Sequence, residues 1–377
     1  MRPTIPVRKI QAIPIALALY LALAAGGLGL GETFTLPRAT VSIFLLMASV
    51  LTINKRSPFG KSEVTILFLF TIFLLTQFFR TTETSIALAK IDGFLIGGIF
   101  VLVLSNHALR AYGKDFLITF ISVGIIFLVA TIIYKFNYGF WDRLVRYFVN
   151  GPIVFGWMMS IMALASLFVF FEGRGRRFLA AYVVFALSVV WSGSKGPLIA
   201  LAISTLYFLI KSRKIGSTFA FLLAAPFSFV SLLEFGLLPE RLMVFQRVIE
   251  GSYREFDHGS IGIRATMLGE AIDIFLQNPV FGVGIANWSH YSQQTYLSSF
   301  GFIYPHNFFG EVLSEFGVVG MIFVVCIFAF IWTNGNVLSK TFAVFAMVAL
   351  MFTGDISYWR FLVFFPLSMS RIVARGW

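Results

Sequence analysis

"PIVFGWMMSIMALASLFVFF", residues 152–171, carries no charge from end to end. A helix of 20 residues rises about 30 Å, the thickness of the hydrocarbon core of a bilayer. Lipid offers the backbone no hydrogen-bond partners, so such a run must satisfy its own amides as a helix. Working outward, comparable apolar runs recur before it at 12–30, 37–53, 63–79, 93–109 and 115–134. After it they recur at 178–191, 197–210, 216–233, 308–332, 341–356 and 360–373. The sequence therefore predicts an all-α polytopic membrane protein with about 12 transmembrane helices. The runs at 178–191, 197–210 and 360–373 are short and are expected to tilt, bend or re-enter.

The composition agrees. Of 377 residues, 58% are hydrophobic, 12% are charged and 46 are Phe. An ordinary soluble domain is about 25% charged. The in–out alternation of a β-barrel is missing. The single cysteine, Cys326, lies inside an apolar run and reads as a packing residue. The N-terminal "AIPIALALYLALAAGGLGL" imitates a secretory signal, but with further spans behind it we expect a retained first helix. The formal charge of +12 sits mainly in short loops between apolar runs, which points to a membrane surface and to no nucleic-acid partner.

Basic residues also set the orientation. "RKI", "NKRSPFGK", "RAYGK", "RGRR", "KSRK", Lys340, Arg371 and Arg375 all fall on one side of the alternating runs. By the positive-inside rule that side is cytoplasmic, with both termini inside. The opposite side nevertheless keeps Arg80, Lys90, Lys135, Arg143, Arg146, Lys195 and the arginines of a long loop. An outward-facing cavity for an anionic ligand accounts for cations retained there.

That loop, residues 234–305, is too polar to span. We read residues 1–377 as a single transmembrane domain, with 234–305 as a loop subdomain whose surface helices cap the cavity. Within it, "SIGIRATMLGEAIDIFLQNP" predicts a helix, with Ser260 as N-cap and Asn278-Pro279 as stop. Its apolar residues Ile263, Met267, Ala271 and Ile274 recur at three and four.

Several polar groups interrupt this apolar chain. "WSGSKGPLIAL" places Lys195 in a small flexible turn, with Pro197 suited to the first turn of a helix. Helix-start amides plus a lysine make a phosphate site, whereas a lysine snorkelling from a tight hairpin is the plain alternative. Arg264, on the loop helix, reads either as a solvated side chain or as a bidentate clamp on a diphosphate. Gly282 and Gly284 in "NPVFGVGIANW" lack a dinucleotide fingerprint's third glycine and strand, so we expect them to turn the chain back towards the membrane. In "IYPHNFFGEVLSEFGVVG", residues 303–320, His306 and Asn307 precede a helix start. The positive end of the helix dipole favours a neutral imidazole, able to take a proton from a hydroxyl. Glu311 and Glu315 share one helix face and either line the cavity or pair with its cations. His258 and His290 read as loop histidines, and His107 as interfacial packing. No spacing of His, Cys, Asp or Glu suggests a metal site.

Three stretches, "SGSKGPLIAL", "IRATMLGEAIDIFLQNPVFGVGIANW" and "PHNFFGEVLSEFGVVG", together resemble the O-antigen ligase and O-antigen polymerase superfamily in order and spacing. His-Asn followed after nine residues by Gly317 and then Gly320 fits the family pattern. "RLVRYFVNGP" is similar to the family's periplasmic arginine segment.

The resemblance implies a glycosyltransferase of the bacterial inner membrane with a periplasmic active site. The donor would be an undecaprenyl-diphosphate-linked glycan, and the acceptor a glycan or lipid A–core. No cofactor or metal is implied, and transfer would invert the anomeric centre. His306 and Arg264 take the catalytic roles, acting on the acceptor hydroxyl and the diphosphate. Lys195, Arg143, Arg146, Asn307 and Glu311 are expected to bind diphosphate or glycan. The family usually has arginine where this chain has Lys195, which keeps the charge and loses the fork. The compact loop and Lys195 favour a polymerase over a ligase. A lipid-linked glycan flippase or transporter is the reading from another class, but no matched halves are visible.

Overall fold

The computed structural model describes residues 7–24, 61–142, 145, 147–148, 150–236, 239, 242–243, 260–292, 304–352, 356–359, 363 and 365–369. Among them the chain is helical and holds no strand, only an isolated antiparallel bridge between Tyr147 and Asn150. The helices are α1 (Val7–Ala24), α2 (Lys61–Phe78), α3 (Thr84–Asp92), α4 (Phe100–Tyr112), α5 (Lys114–Tyr138), α6 (Pro152–Phe171), α7 (Arg177–Trp191) and α8 (Lys195–Lys211). They continue with α9 (Ile215–Glu234), α10 (Ser260–Gln277), α11 (Trp288–Tyr291), α12 (Phe308–Glu311), α13 (Gly317–Asn334), α14 (Val337–Phe352) and α15 (Phe365–Met369). A π-helical turn, Gly93–Ile99, joins α3 to α4, and a second, Val312–Phe316, joins α12 to α13.

The stretch that opened the reading, α6, is the central post. Pro152 occupies its first turn, where a missing N–H costs nothing, and Gly151 precedes it in an extended conformation. Every residue from Val154 to Leu167 is buried. Around it pack α5, α7, α8 and α14, while α1 lies against α4 and α5. Small residues set the spacing, as elsewhere in lipid. A Cβ at Gly124 would come within 2.8 Å of the Met162 sulfur on α6, and one at Gly156 within 2.9 Å of Pro197 on α8.

The distribution of polarity is inverted relative to a soluble protein. Ile126, Phe136, Leu223 and Phe227 point outward, each at least 66% exposed. Ser160, Ser166, Ser204, Lys90, Glu311 and Glu315 are buried. This is the pattern of a helical bundle solvated by lipid, with its polar groups turned inward.

Four described helical segments are long and apolar enough to cross a membrane: Lys114–Tyr138, Pro152–Phe171, Ile215–Leu232 and Phe308–Asn334. Thr65–Phe78, Arg177–Trp191 and Val337–Phe352 are apolar but shorter. The expectation of about twelve full crossings is thus only partly met among the described residues. One reason is local: α7 rises only about 23 Å at 1.5 Å per residue, and residues 84–112 are divided by the π-helical turn. The other is coverage, since 37–53 and most of 360–373 lie outside the described residues. Of the long loop, α10 and α11 are described, and α10 starts at Ser260 itself.

Candidate functional site

The site is built on a helix that breaks. From Phe308 the chain runs through α12 and the π-helical turn, then reverses its backbone at Gly317 (φ +63), the first residue of α13. The break exposes carbonyls above it and amides below. The segment 279–284 satisfies both. The amides of Val283 and Gly284 donate to the carbonyls of Ser314 and Glu315, and the Pro279 and Val280 carbonyls accept from Val318 and Val319. Two glycines make the approach possible. A Cβ at Gly317 would lie 2.4 Å from the Val280 carbonyl oxygen, and one at Gly282 (φ +64) 2.4 Å from the Glu315 carbonyl carbon. The expected sharp return at Gly282 and Gly284 is therefore present, and it docks on the broken helix.

Arg80 and Asn287 hold the return in place. The Arg80 guanidinium donates to the carbonyls of Phe281 (3.2 Å) and Gly282 (2.9 Å). The Asn287 side chain accepts from Thr82 through its amide and hydroxyl, and donates to the Arg80 and Val283 carbonyls. The turn after α2 is thereby tied to the long loop. Sequence reasoning counted Arg80 only as an outer cation and did not weigh Asn287.

His306 and Asn307 stand at the start of the broken helix. Asn307 is its N-cap, with the Oδ1 accepting from the Gly310 amide at 3.0 Å. Its Nδ2 donates to the Met351 carbonyl of α14. Asn307 is thus occupied with structure. His306 sits before it at φ +51, a conformation a side-chain-bearing residue rarely adopts, with its ring against Tyr304 at 4.5 Å.

Arg264 is brought to this point by α10. Met267, Ala271 and Ile274 are buried with Val283 and Trp288, and Ile263 packs partly against them, so the stripe read from the sequence is the buried face. Arg264 lies one turn before Leu268 and two before Ala271. Both touch α12, since a Cβ at Gly310 would meet Leu268 at 2.9 Å and Ala271 at 3.3 Å. Arg264 therefore extends the row that meets the His306 helix. Its charge reaches the imidazole. Burial first, and the Arg264 guanidinium second, push the His306 pKa down to about 4. At neutral pH the imidazole is uncharged.

Lys195 stands at the start of α8. Pro197 seats against Gly156, and a Cβ at Gly196 would lie 2.8 Å from Phe352. Phe352 follows the Met351 whose carbonyl holds Asn307. Lys195 and His306 thus flank the same end of α14. The loop after α5 is pinned beside this turn. Trp191 Nε1 donates to the Phe140 carbonyl at 3.2 Å, Lys135 donates to the Asp142 and Val145 carbonyls, and the Tyr147 ring packs on both Lys135 and Trp191. Arg143 and Arg146, which this loop carries, lie outside the described residues.

Glu311 and Glu315 do not line a cavity. Both are fully buried, and both bind one lysine from the first half of the chain. Lys90 Nζ lies 2.5 Å from Glu311 and 2.9 Å and 3.0 Å from the two Glu315 oxygens. Of the two roles the sequence left open for Glu311, ion pairing is the one this geometry displays. Lys90 had been noted only as one outer cation among many; the faint signal was a lone lysine inside the weakly polar "TSIALAKID".

His290 is exposed, His107 is half-buried in α4, and His258 lies outside the described residues. Asp355 and Arg360 also lie outside them, while the Trp359 ring packs with Phe70, Phe94 and Phe308. Among the described residues no three His, Cys, Asp or Glu side chains converge into a ligand set for a metal ion.

No curated protein matches the chain. Residues 180–325 match a family model described as O-antigen ligase. The match begins in α7, contains the Lys195 turn, α10 with Arg264, the 279–284 return and His306, and ends in α13. The match supports the resemblance to the O-antigen ligase and polymerase superfamily over this stretch, which is less than half of the chain.

Proposed function

We propose that the protein transfers a glycan from an undecaprenyl-diphosphate donor to a sugar hydroxyl at the periplasmic face of the bacterial inner membrane, with both termini cytoplasmic. The observation that carries this reading is the pairing of Arg264 with His306. The Arg264 cation lies within electrostatic reach of a neutral imidazole at the start of a broken helix, the two carried by separate elements. A diphosphate leaving group needs the first, and a hydroxyl nucleophile needs the second.

In this reaction the acceptor oxygen attacks the anomeric carbon from the face opposite the diphosphate. The C–O bond to phosphate breaks as the new glycosidic bond forms, so the configuration inverts. Undecaprenyl diphosphate leaves with the electron pair, held by Arg264, with Lys195 and the Arg143 and Arg146 loop as further cations. The acceptor proton passes to His306 and then to solvent. No metal or cofactor enters the scheme. The loop 234–305 closes over the outward-facing site, and the lipid tail lies among the apolar helices.

Donor binding also tunes the base. Arg264 lowers the basicity of His306 in the free protein. An anionic diphosphate on Arg264 offsets that charge and raises the imidazole pKa. The histidine becomes a better proton acceptor only once a donor is present, which protects the site from idle protonation.

We favour a polymerase, which joins one lipid-linked repeat to another, over a ligase acting on lipid A–core. Purified protein in liposomes, supplied with lipid-linked glycan and lipid A–core, separates the two. Longer lipid-linked chains mean polymerase and extended core means ligase. Movement of the lipid-linked glycan with neither product would replace both with a flippase. His306→Ala and Arg264→Ala should each lose at least about 100-fold in transfer; normal glycan from a well-expressed His306→Ala variant would remove the assigned role.

A further inference from the structure

Lys90 and the two glutamates form a charge cluster that glycosyl transfer, as proposed above, does not use directly. Three independent elements end on it. Lys90 belongs to α3, 221 residues before Glu311. Glu311 closes the single turn that Asn307 caps, its amide donating to the Asn307 carbonyl at 3.0 Å. Glu315 lies in the π-helical turn and also accepts from the amides of Ala286 (2.9 Å) and Trp288 (3.5 Å) in the return loop. The cluster therefore joins α3, the His306 helix and the segment that follows Arg264's helix.

Such a cluster is a poor choice for stability alone. Taking three ions out of water costs more than a well-packed apolar replacement. Its geometry is what an apolar replacement would lack, since a lysine donating to two carboxylates fixes distances and directions. One turn away, His306 holds a positive φ that its surroundings must enforce. Arg264 and His306 sit on different elements, α10 and the residue before the cap of α12. Their separation is set by how α10, the return loop and α12 lock together, and Glu315 is where they lock.

We propose that Lys90 is a positioning residue for transfer, acting through Glu311 and Glu315 to hold His306 against Arg264. The N-terminal half, outside the matched family domain, would then contribute a required group to the site. This inference rests on the roles given to His306 and Arg264 in the preceding reading.

The test uses full-length protein in liposomes with a lipid-linked glycan donor. Lys90→Met keeps the volume of the side chain and removes its charge. The expected result is a kcat about 100-fold lower, the loss that follows roughly 1 Å of misplacement, with donor KM changed by less than about threefold, since Arg264 and the other cations remain. A purely structural role would not move the pH profile. Here it should move. His306 released from Arg264 and from its dry pocket regains an ordinary histidine value, so the acidic limb of kcat/KM appears near pH 6.5 instead of towards 4. Lys90→Arg, which keeps the charge, should recover most of the rate.

If Lys90→Met does not accumulate, Lys90→Met/Glu311→Met/Glu315→Gln removes every charge and leaves an acceptor for the Ala286 amide. It should fold and show the same kcat loss and the same shifted limb. Wild-type kcat and pH profile in either variant would overturn the proposal. His306→Ala in the same assay keeps the two ideas apart. An inactive His306→Ala beside a normal Lys90→Met sinks only the positioning role, whereas an active His306→Ala sinks the reading of the site itself.

Discussion

The imidazole of His306 is the most informative single group in the chain. Its pKa near 4 means that it is neutral across the range in which membranes are handled. Unfolded, it would titrate near 6.5, so the unfolded chain binds the extra proton between those values. Stability contributed by this depressed group is present above pH 6.5 and is lost as pH falls towards 4. Thermal unfolding measured from pH 7 to 4 should show that loss, and His306→Gln should flatten it. Kinetics report the same group in two states. The acidic limb of kcat/KM reflects the free protein and should lie towards pH 4. The limb of kcat reflects the donor complex and should lie higher, because bound diphosphate offsets Arg264. Coincident limbs would rule out that coupling. Arg264→Lys keeps the charge but loses the fork, and about a 100-fold drop in transfer is expected, measured as glycan lengthening. Lys90 shows why some residues escape a reading of the sequence. A lysine near a helix end commonly snorkels to the interface, and nothing local reveals that its partners come 221 and 225 residues later. His306 and Arg264 were legible because polar groups stand out in an apolar chain and recur in spaced motifs. Their juxtaposition was not, since it depends on how three separate segments dock.

At the scale of elements, the periodic helix α10 was readable from its apolar stripe to its stop at Asn278-Pro279, while Ser260, expected as its cap, is its first helical residue. The helix after His306 was half readable. Gly317 and Gly320 suggested a bend or a tight contact, but a π-helical turn leaves no pattern of its own in sequence. The tightness of the break gives a sharp prediction. Gly317→Ala forces a Cβ into the Val280 carbonyl and also burdens a positive φ. Strain of order 1–3 kcal/mol adds to overpacking of about 1–3 kcal/mol, so a clear fall in melting temperature is expected. Gly216→Ala is the control, because open space surrounds that position in α9; it should be neutral or slightly stabilising. Asn307→Ala removes a cap and the bond to Met351 together. A cost of about 1 kcal/mol or more follows from the cap, visible as a lower denaturation midpoint, and Asn307→Asp should recover the cap while losing the α14 contact.

At the scale of the whole molecule, hydropathy delivered the class at once. The number of crossings was less legible. Hydropathy counts apolar residues, whereas a crossing also needs length, and α7 and the split α3–α4 segment are limited by turns that apolar content hides. The two halves differ in what they contribute. The matched domain, residues 180–325, supplies the groups assigned to chemistry. The earlier part of the chain supplies Arg80, Lys90 and Lys135, each bound to carbonyls or carboxylates around the site.

The mutual fit of Gly282 and Gly317 carries a consequence for exchange between relatives. Each position leaves no room for even one carbon against the backbone of the opposing segment, and the four hydrogen bonds from backbone amides between 279–284 and 314–319 pair specific registers. The loop and the helix it meets therefore behave as one cassette. A chimera that swaps the loop alone, with a junction between Ser292 and Tyr304, should accumulate poorly. One that moves residues 260–320 together should insert and fold, and any change in the glycan it makes could then be traced to that cassette.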